Sequence, residues 1–389
     1  MNKEKPIRVL QVLTIMNLGG AETMIMNYYR HVDKSKIQFD FLLHRSERGF
    51  FDDEIESLGG KIYRMSPIRP HTHFLYKKKL EQFFDEHPEY NVVHSHLNAL
   101  SSTILKIAKA KGIQTRIAHS HLAVEPYVLK KIFKKNTDIK ATIKDAIQSL
   151  IKYKVKKHAT HFFACGLKAG EWLYGKNNAS KITIINNAIN SSLFTYNPNL
   201  SLQVKKELGV SGKKVIGHVG RFNEQKNHFF LIKIFNEILK KDKNCVLALA
   251  GNGNLMSPIK KEVKKLEIKN QVLFLGLQKN IPKLLQGFDL FLFPSLYEGL
   301  PVTLVEAQSS GLPIVTSNTV TTEVDITGLI TFLDINNDSE SKWAKTVLNK
   351  LNYERLNTSS QIKKGGYDIY ENASKLQEFY IKTNTNVRN

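Results

Sequence analysis

Two carboxylates, Glu298 and Glu306, stand in the stretch FPSLYEGLPVTLVEAQSSGLPIVTS (293–317), where an apolar strand runs into a loop and a helix follows. Glu298 falls on the loop and Glu306 on the second helical turn, so the pair can approach one ligand from two points. Pro301 suits the helix start, where its missing N–H costs nothing, and Gly311 suits the exit. A second strand leads into HVGRFNEQKNH (218–228), which sets Arg221 and Lys226 in the loop entering the next helix. On so basic a chain, solvated surface charge is the alternative reading of these two cations. In NLGGAETMIMNYY (17–29) the pair Gly19 and Gly20 lies between the first strand and the first helix. Glycines there let a ligand approach the backbone, and the N–H groups that open a helix favour an anion. Histidines recur at i, i+2 as His71/His73, His94/His96 and His119/His121, the last two pairs closing strands. Side chains so spaced share a face and are capable of holding a metal, or of serving as satisfied structural histidines. No third and fourth ligand is evident and no Asp-x-Asp occurs, so the expectation is that no metal is bound and no cofactor is needed.

These residues need a scaffold that brings strand ends together. Short β-branched runs alternate with longer mixed segments throughout, the pattern of parallel sheets covered on both faces. In the first half strands are expected at 7–13, 37–43, 91–96, 115–120, 160–165 and 182–186, and in the second at 214–220, 245–251, 272–276, 289–295, 313–317 and 329–333. Two similar series imply two similar α/β domains. The Asn- and Ser-rich run NNAINSSLFTYNPNLS (186–201) has linker composition and sets the boundary near residue 195. Helical spacing of Tyr367, Tyr370, Leu376 and Phe379 predicts a helix over 366–381, with TNTNVRN frayed beyond it. Ligands of open α/β sheets bind outside the carboxyl ends of strands, which is where the candidate residues fall.

The segment around Glu298 and Glu306 resembles the Glu-x7-Glu signature of the family-4 retaining glycosyltransferases of the GT-B fold. The resemblance covers nearly the whole chain and is stronger in its second half. It implies two Rossmann-like doubly wound domains facing each other across a cleft. Residues 1–195 would bind the acceptor, with the helix 366–381 packed back on them, and 196–365 would bind a nucleotide sugar. Gly-Arg-x4-Lys matches the family's diphosphate-binding pair, which assigns Arg221 and Lys226 to the leaving group; fixed cations there stabilise the charge that develops as the glycosidic bond breaks. By the same resemblance Glu306 meets the ribose hydroxyls, while Glu298, Gly299 and Leu300 lie at the donor sugar and its phosphates. Gly19 and Gly20 face the donor, and Gly251 and Gly253 of LAGNGN lie near the nucleotide base. Gly251-x-Gly253 by itself is too short for a dinucleotide fingerprint. VVHSH resembles the strand-end motif whose second histidine, His96, lies near the transferred sugar, and RIAHSH points to His121 on the same side. The chain departs from the pattern at Ala188, where Asn-Gly is common, and in SNTVTTEVDITG, where a glycine-rich turn is usual.

Composition limits the rest. At 389 residues, 42% of them hydrophobic and 24% charged, the chain has the makings of two ordinary globular cores. A formal charge of +22 favours anionic partners, which include a phosphorylated substrate, nucleic acid or an acidic membrane surface. The segment 128–159 carries ten Lys against two Asp behind an apolar stripe. It is open to two readings, a helix packed on the sheet with solvated lysines, or a basic amphipathic helix lying on anionic lipid. Cys165 and Cys245 read as buried free thiols of a reducing compartment. With no signal sequence and no apolar run of spanning length, the expectation is a cytoplasmic protein, peripheral at the inner face of the membrane if 128–159 binds lipid. The partners implied are a nucleotide-sugar donor, a UDP-sugar by the family's habit, and a glycan or lipid-linked acceptor in surface polysaccharide synthesis. A nucleic-acid-binding protein and another GT-B enzyme, an epimerase or a glycan phosphorylase, are the rival readings. No recognised nucleic-acid-binding motif is present, and the phosphorylases are much longer chains.

Overall fold

A computed structural model describes residues 5–121 and 151–385. Residue contacts divide the chain into two units, Met1–Ala188 with Ile369–Asn389, and Ile189–Asp368. Each unit is built around one wholly parallel sheet.

Among the described residues of the first unit seven strands pair in one sheet, β1 Ile7–Leu13, β2 Ile37–Leu43, β3 Ile62–Arg64, β4 Val92–Ser95, β5 Thr115–Ser120, β6 His161–Ala164 and β7 Ile182–Ile184, in spatial order 3-2-1-4-5-6-7. The second unit has β8 Lys214–Val219, β9 Cys245–Ala250, β10 Val272–Gly276, β11 Leu290–Phe293, β12 Ile314–Ser317 and β13 Ile330–Leu333, in order 10-9-8-11-12-13. Strands β2 and β9 are buried at every position, because helices cover both faces of the sheet. The order reverses direction between β1 and β4 and again between β8 and β11. At such a switch point neighbouring loops leave toward opposite faces and open a crevice at the strand ends. All the residues singled out by type and spacing, the exposed pair His71/His73 excepted, follow strands at or beside these two points.

The sequence misses β3, a strand of three half-buried residues too short to show a pattern. The last helix also differs from the expectation. It runs Ile369–Thr385, so Thr383 to Thr385 continue it and do not fray. Its inner face is Ile369, Ala373, Leu376 and Tyr380, packed with Val9, Phe39 and Phe41 of the first core. Tyr370, expected inside, is 60% exposed and sets its ring edge-on to His31. The boundary between units falls at Ala188, before the expected 195. Ala188 is fully buried and its carbonyl accepts from Asn27, while Asn186 accepts from Tyr28, so this stretch is stitched to the first unit. Of the basic segment 128–159, residues 128–150 lie outside the described residues. Residues 151–158 are helical, with Val155 buried and Lys154, Lys156 and Lys157 exposed.

Candidate active site

In the second unit β8 ends at Val219 and passes through Gly220 to Arg221. This turn is laced to the loop after β9: the Gly220 N–H donates to the Ala250 carbonyl at 3.0 Å, the Phe222 N–H to Asn252 at 3.0 Å, and the Leu255 N–H to Phe222 at 3.0 Å. Gly251 sits at φ +138°, and a Cβ there would overlap the Gly220 carbonyl oxygen; a Cβ at Gly253 would overlap that of Phe222. The two glycines are therefore required by the close approach of two backbones, whatever they also present to a ligand. Beneath the turn lie His218 and His228, rings 4.8 Å apart, with Phe222 stacked on His228 at 4.1 Å. Arg221 itself is exposed and has no ion-pair partner among the described residues.

Lys226 is held differently. The Asn223 side chain accepts its N–H at 3.2 Å and caps the short turn Glu224–Lys226. Its ammonium lies 4.4 Å over the Phe293 ring and donates to Glu298 Oε1 at 2.6 Å. The loops after β8 and β11 are clipped at the backbone too, since Leu296 N–H donates to the Gln225 carbonyl at 2.8 Å and Gln225 Nε2 to the Tyr297 carbonyl at 2.9 Å. The Asn223 cap and the Gln225 clip went unnoticed in the sequence, although Asn three residues before Lys226 is a capping signal.

Pro301 is the N-cap of the helix Val302–Ser309 rather than part of its first turn. Glu306 lies on the second turn with only 7% of its surface exposed, and burial alone pushes its carboxyl up to about 7. Such a group can accept hydrogen bonds from a pair of hydroxyls, and it becomes a better acceptor once ionised. Gly299 and Leu300 are buried beside Glu298. The unusual segment after β12 is anchored to the same helix: Gln308 Oε1 accepts from the Ile326 and Thr327 N–H groups at 2.9 and 3.1 Å. Ser295 Oγ and Thr303 Oγ1 are buried with no partner among the described residues, two further polar atoms on the loop and helix that carry the glutamates.

In the first unit Gly19 is the extended N-cap of the helix Gly20–His31. The Glu22 carboxylate folds against Gly19, so this helix start already has an anion near it. The histidines form a dense array. Gln11 and His94 are register partners on β1 and β4, and the i, i+2 spacing puts His96, His119 and His121 on the same face. His94 Nε2 lies 3.1 Å from His119 Nδ1, and His96 Nδ1 lies 2.8 Å from His121 Nε2. The two pairs stack, His94 on His96 at 4.2 Å and His119 on His121 at 4.1 Å between centroids. Three of these residues, His94, His96 and His119, bring ligand atoms within 4.8 Å of one another, so the third potential metal ligand that the sequence did not reveal exists. In the His96–His121 pair the centroids are 5.1 Å apart. One ring radius on each side accounts for the excess over the nitrogen separation, so these two nitrogens point at each other along a hydrogen bond. His96 has both nitrogens engaged, the second by Gln11 at 2.9 Å, and is buried. His121 is the partly exposed end of its row. His71 and His73 are exposed and separate from this array.

Models of two families match the chain, glycosyl transferases group 1 over residues 202–341 and glycosyltransferase family 4 over residues 18–193. EpsF of Bacillus subtilis, named as a glycosyltransferase, is 36% identical over 386 residues, 96% of each chain. CapH of Staphylococcus aureus, a capsular polysaccharide biosynthesis glycosyltransferase by name, is 28% identical over 331 residues, 80% of this chain and 81% of its own. Among solved structures, HepE of Anabaena in complex with UDP-glucose superposes with a TM-score of 0.67 at 17% identity, covering 98% of both chains, a likeness of fold. Fold and motifs together define a glycosyltransferase of the GT-B class. The chain belongs to the family-4 glycosyltransferases, and this membership displaces the nucleic-acid-binding reading. Among the described residues no helix is long and apolar enough to cross a membrane.

Proposed function

We propose that the enzyme transfers a hexose or N-acetylhexosamine from a nucleotide diphosphate sugar, a UDP-sugar, to a glycan or lipid-linked acceptor in surface polysaccharide synthesis, with retention at the anomeric carbon and without a metal. The observation that carries the reading is the switch point of the second sheet, where Lys226 pairs with Glu298 on clipped loops, Arg221 lies on the turn after β8 and Glu306 on the helix that follows Glu298. Arg221 and Lys226 neutralise the diphosphate as the bond to the anomeric carbon breaks, which is the task a metal performs in enzymes lacking such cations. Glu306 accepts from the ribose hydroxyls and Glu298 from hydroxyls of the sugar. In the first unit, His96 or its neighbour His121 orients the sugar as it is transferred. The acceptor oxygen forms its bond on the face from which the phosphate departs, and the acceptor proton passes to the leaving phosphate oxygen. The name of CapH supports the polysaccharide setting, and the UDP-glucose bound by HepE supports the donor.

The reading includes attachment at an anionic membrane surface through 128–159. A described surface supports attachment as well: Phe74 is 81% and Leu75 54% exposed, followed by exposed Lys77, Lys78 and Lys79. The test of the enzymatic reading is thermal stabilisation by UDP, GDP and their sugars with chelator present, with Arg221→Ala and Glu306→Ala as controls. Selective stabilisation by a uridine nucleotide that persists in chelator and weakens in both variants is expected. A shift that requires divalent metal, or none with any nucleotide, would sink it.

A further inference from the structure

One amide touches both rows of the histidine array. Gln11 Nε2 donates to Tyr380 Oη at 3.3 Å, and Gln11 Oε1 accepts from His96 Nε2 at 2.9 Å. An amide nitrogen only donates and an amide oxygen only accepts, so in the orientation assigned to the Gln11 amide this contact sets a direction for everything beyond it. Tyr380 accepts from Gln11 and gives its own proton to His94 Nδ1 at 2.7 Å. His94 then carries its proton on Nε2 and donates to His119 Nδ1, which leaves the His119 proton on Nε2, a buried atom without a partner among the described residues. Along the other row His96 donates from Nε2 to Gln11, so its Nδ1 is a lone pair that accepts from His121 Nε2. Rotating the Gln11 amide by half a turn would reverse both rows at once. The array is thus a two-state device whose state is fixed by one side chain on β1 and one on the last helix.

We propose that Gln11 and Tyr380 are positioning residues that hold all four imidazoles in the Nε2–H form, so that the histidines on the sugar side of the enzyme present a fixed pattern of donors and acceptors. The part that concerns the sugar rests on the glycosyltransfer reading above; the tautomer assignment does not. Every ring is neutral, as the bookkeeping requires, because burial and mutual repulsion hold His94, His96 and His119 well below the usual range and burial takes His121 to about 3. A histidine in the wrong tautomer offers a donor where an acceptor is needed, and such reversals elsewhere cost orders of magnitude in turnover.

The test is nitrogen NMR on the full chain with labelled histidine, which reads the protonated nitrogen of each ring without any substrate. The four rings of the array are expected as Nε2–H forms. Tyr380→Phe, which removes one hydroxyl and keeps the packing, is expected to turn His94 and His119 into tautomer mixtures and, because Gln11 Nε2 then lacks its acceptor, to loosen His96 and His121 to a lesser degree. Gln11→Met is expected to release all four rings. In transfer assays Gln11→Met should lower kcat roughly tenfold or more with little change in the KM for donor. Addition of Zn2+ should leave the ring signals in place. Nδ1–H forms in the unaltered protein, no change in Tyr380→Phe, or displacement of the ring protons by Zn2+ would each overturn the assignment, the last in favour of a metal site. If the tautomers are as stated and no sugar is transferred, the device stands and the glycosyltransfer reading fails.

Discussion

The Lys226 ammonium and the Glu298 carboxylate meet at 2.6 Å with side chains only 14% and 9% exposed. Each therefore offsets hydration that the other has lost at that depth. Lys226→Met is expected to lower stability by about 3 kcal/mol and to abolish donor binding, since it strands the carboxylate and removes the proposed diphosphate contact. Glu298→Gln combined with Lys226→Met should recover most of the stability and none of the transfer. Thermal unfolding beside a transfer assay measures both, and additive losses in the double variant would show that the two do not act as a pair.

Glu306 gives the site a pH signature. Its carboxyl is raised from 4.5 to about 7 by burial, so the folded protein holds a proton that the unfolded chain releases between those values. The stabilising contribution is complete below 4.5 and is lost as pH rises through about 7. Nucleotide binding has the opposite slope, because hydroxyl donors prefer the ionised acceptor: affinity for UDP should strengthen from pH 6 to 8 and flatten in Glu306→Gln. Calorimetry in that range reads the slope, and an equal slope in the variant would assign it to another group.

The glycines separate into those that shape the backbone and those that leave room. Gly251→Ala should cost about 3 kcal/mol and displace Arg221, because its φ of +138° and the Gly220 carbonyl both exclude a Cβ. At Gly20 nothing lies within 4 Å of a Cβ position, so Gly20→Ala should gain about 0.5 to 1 kcal/mol by helix propensity. If Gly20→Ala is stable and yet binds donor poorly, the ligand itself occupies that space. Full activity would remove Gly20 from the site.

Much of this was legible in the sequence because its signals are local. Strand runs bounded by Gly and Pro, the Glu298 loop and the Gly220–Lys226 turn each lie within one short window, and the switch-point rule then says where their ends must go. What escaped depends on contacts across the chain. The pairing of Lys226 with Glu298, residues 72 apart in sequence, is a product of sheet order. The array linking Gln11, His94 and Tyr380 spans nearly the whole chain, and nothing in the window around Gln11, an apolar strand whose other polar residue is Arg8, announces a partner on the last helix. Of the four residues whose spacing predicts the last helix, Leu376 lies on its inner face and Phe379 packs beside it, whereas Tyr367 precedes the helix and Tyr370 is exposed; the residues that face inward follow Ile369 at spacings of four, three and four. The metal-ligand count was short for the same reason, since His94 and His119 sit on neighbouring strands and only the register brings them together.

The exposed start of the helix His73–Glu86 offers a test of attachment that is independent of catalysis. Phe74 and Leu75 stand in solvent where a soluble surface gains nothing from them, and three consecutive lysines follow two residues later. A bilayer with anionic headgroups satisfies both, the rings entering the interface and the ammonium groups meeting phosphates, at about 1 kcal/mol per cation near the surface. Co-sedimentation with vesicles should rise with anionic lipid content and fall several-fold in the double variant Phe74→Ser and Leu75→Ser, while stabilisation by nucleotide stays unchanged. Binding that is lost in high salt but indifferent to the double variant would transfer the attachment to the lysine-rich segment 128–159. Equal binding to neutral vesicles would remove the electrostatic part of the proposal altogether.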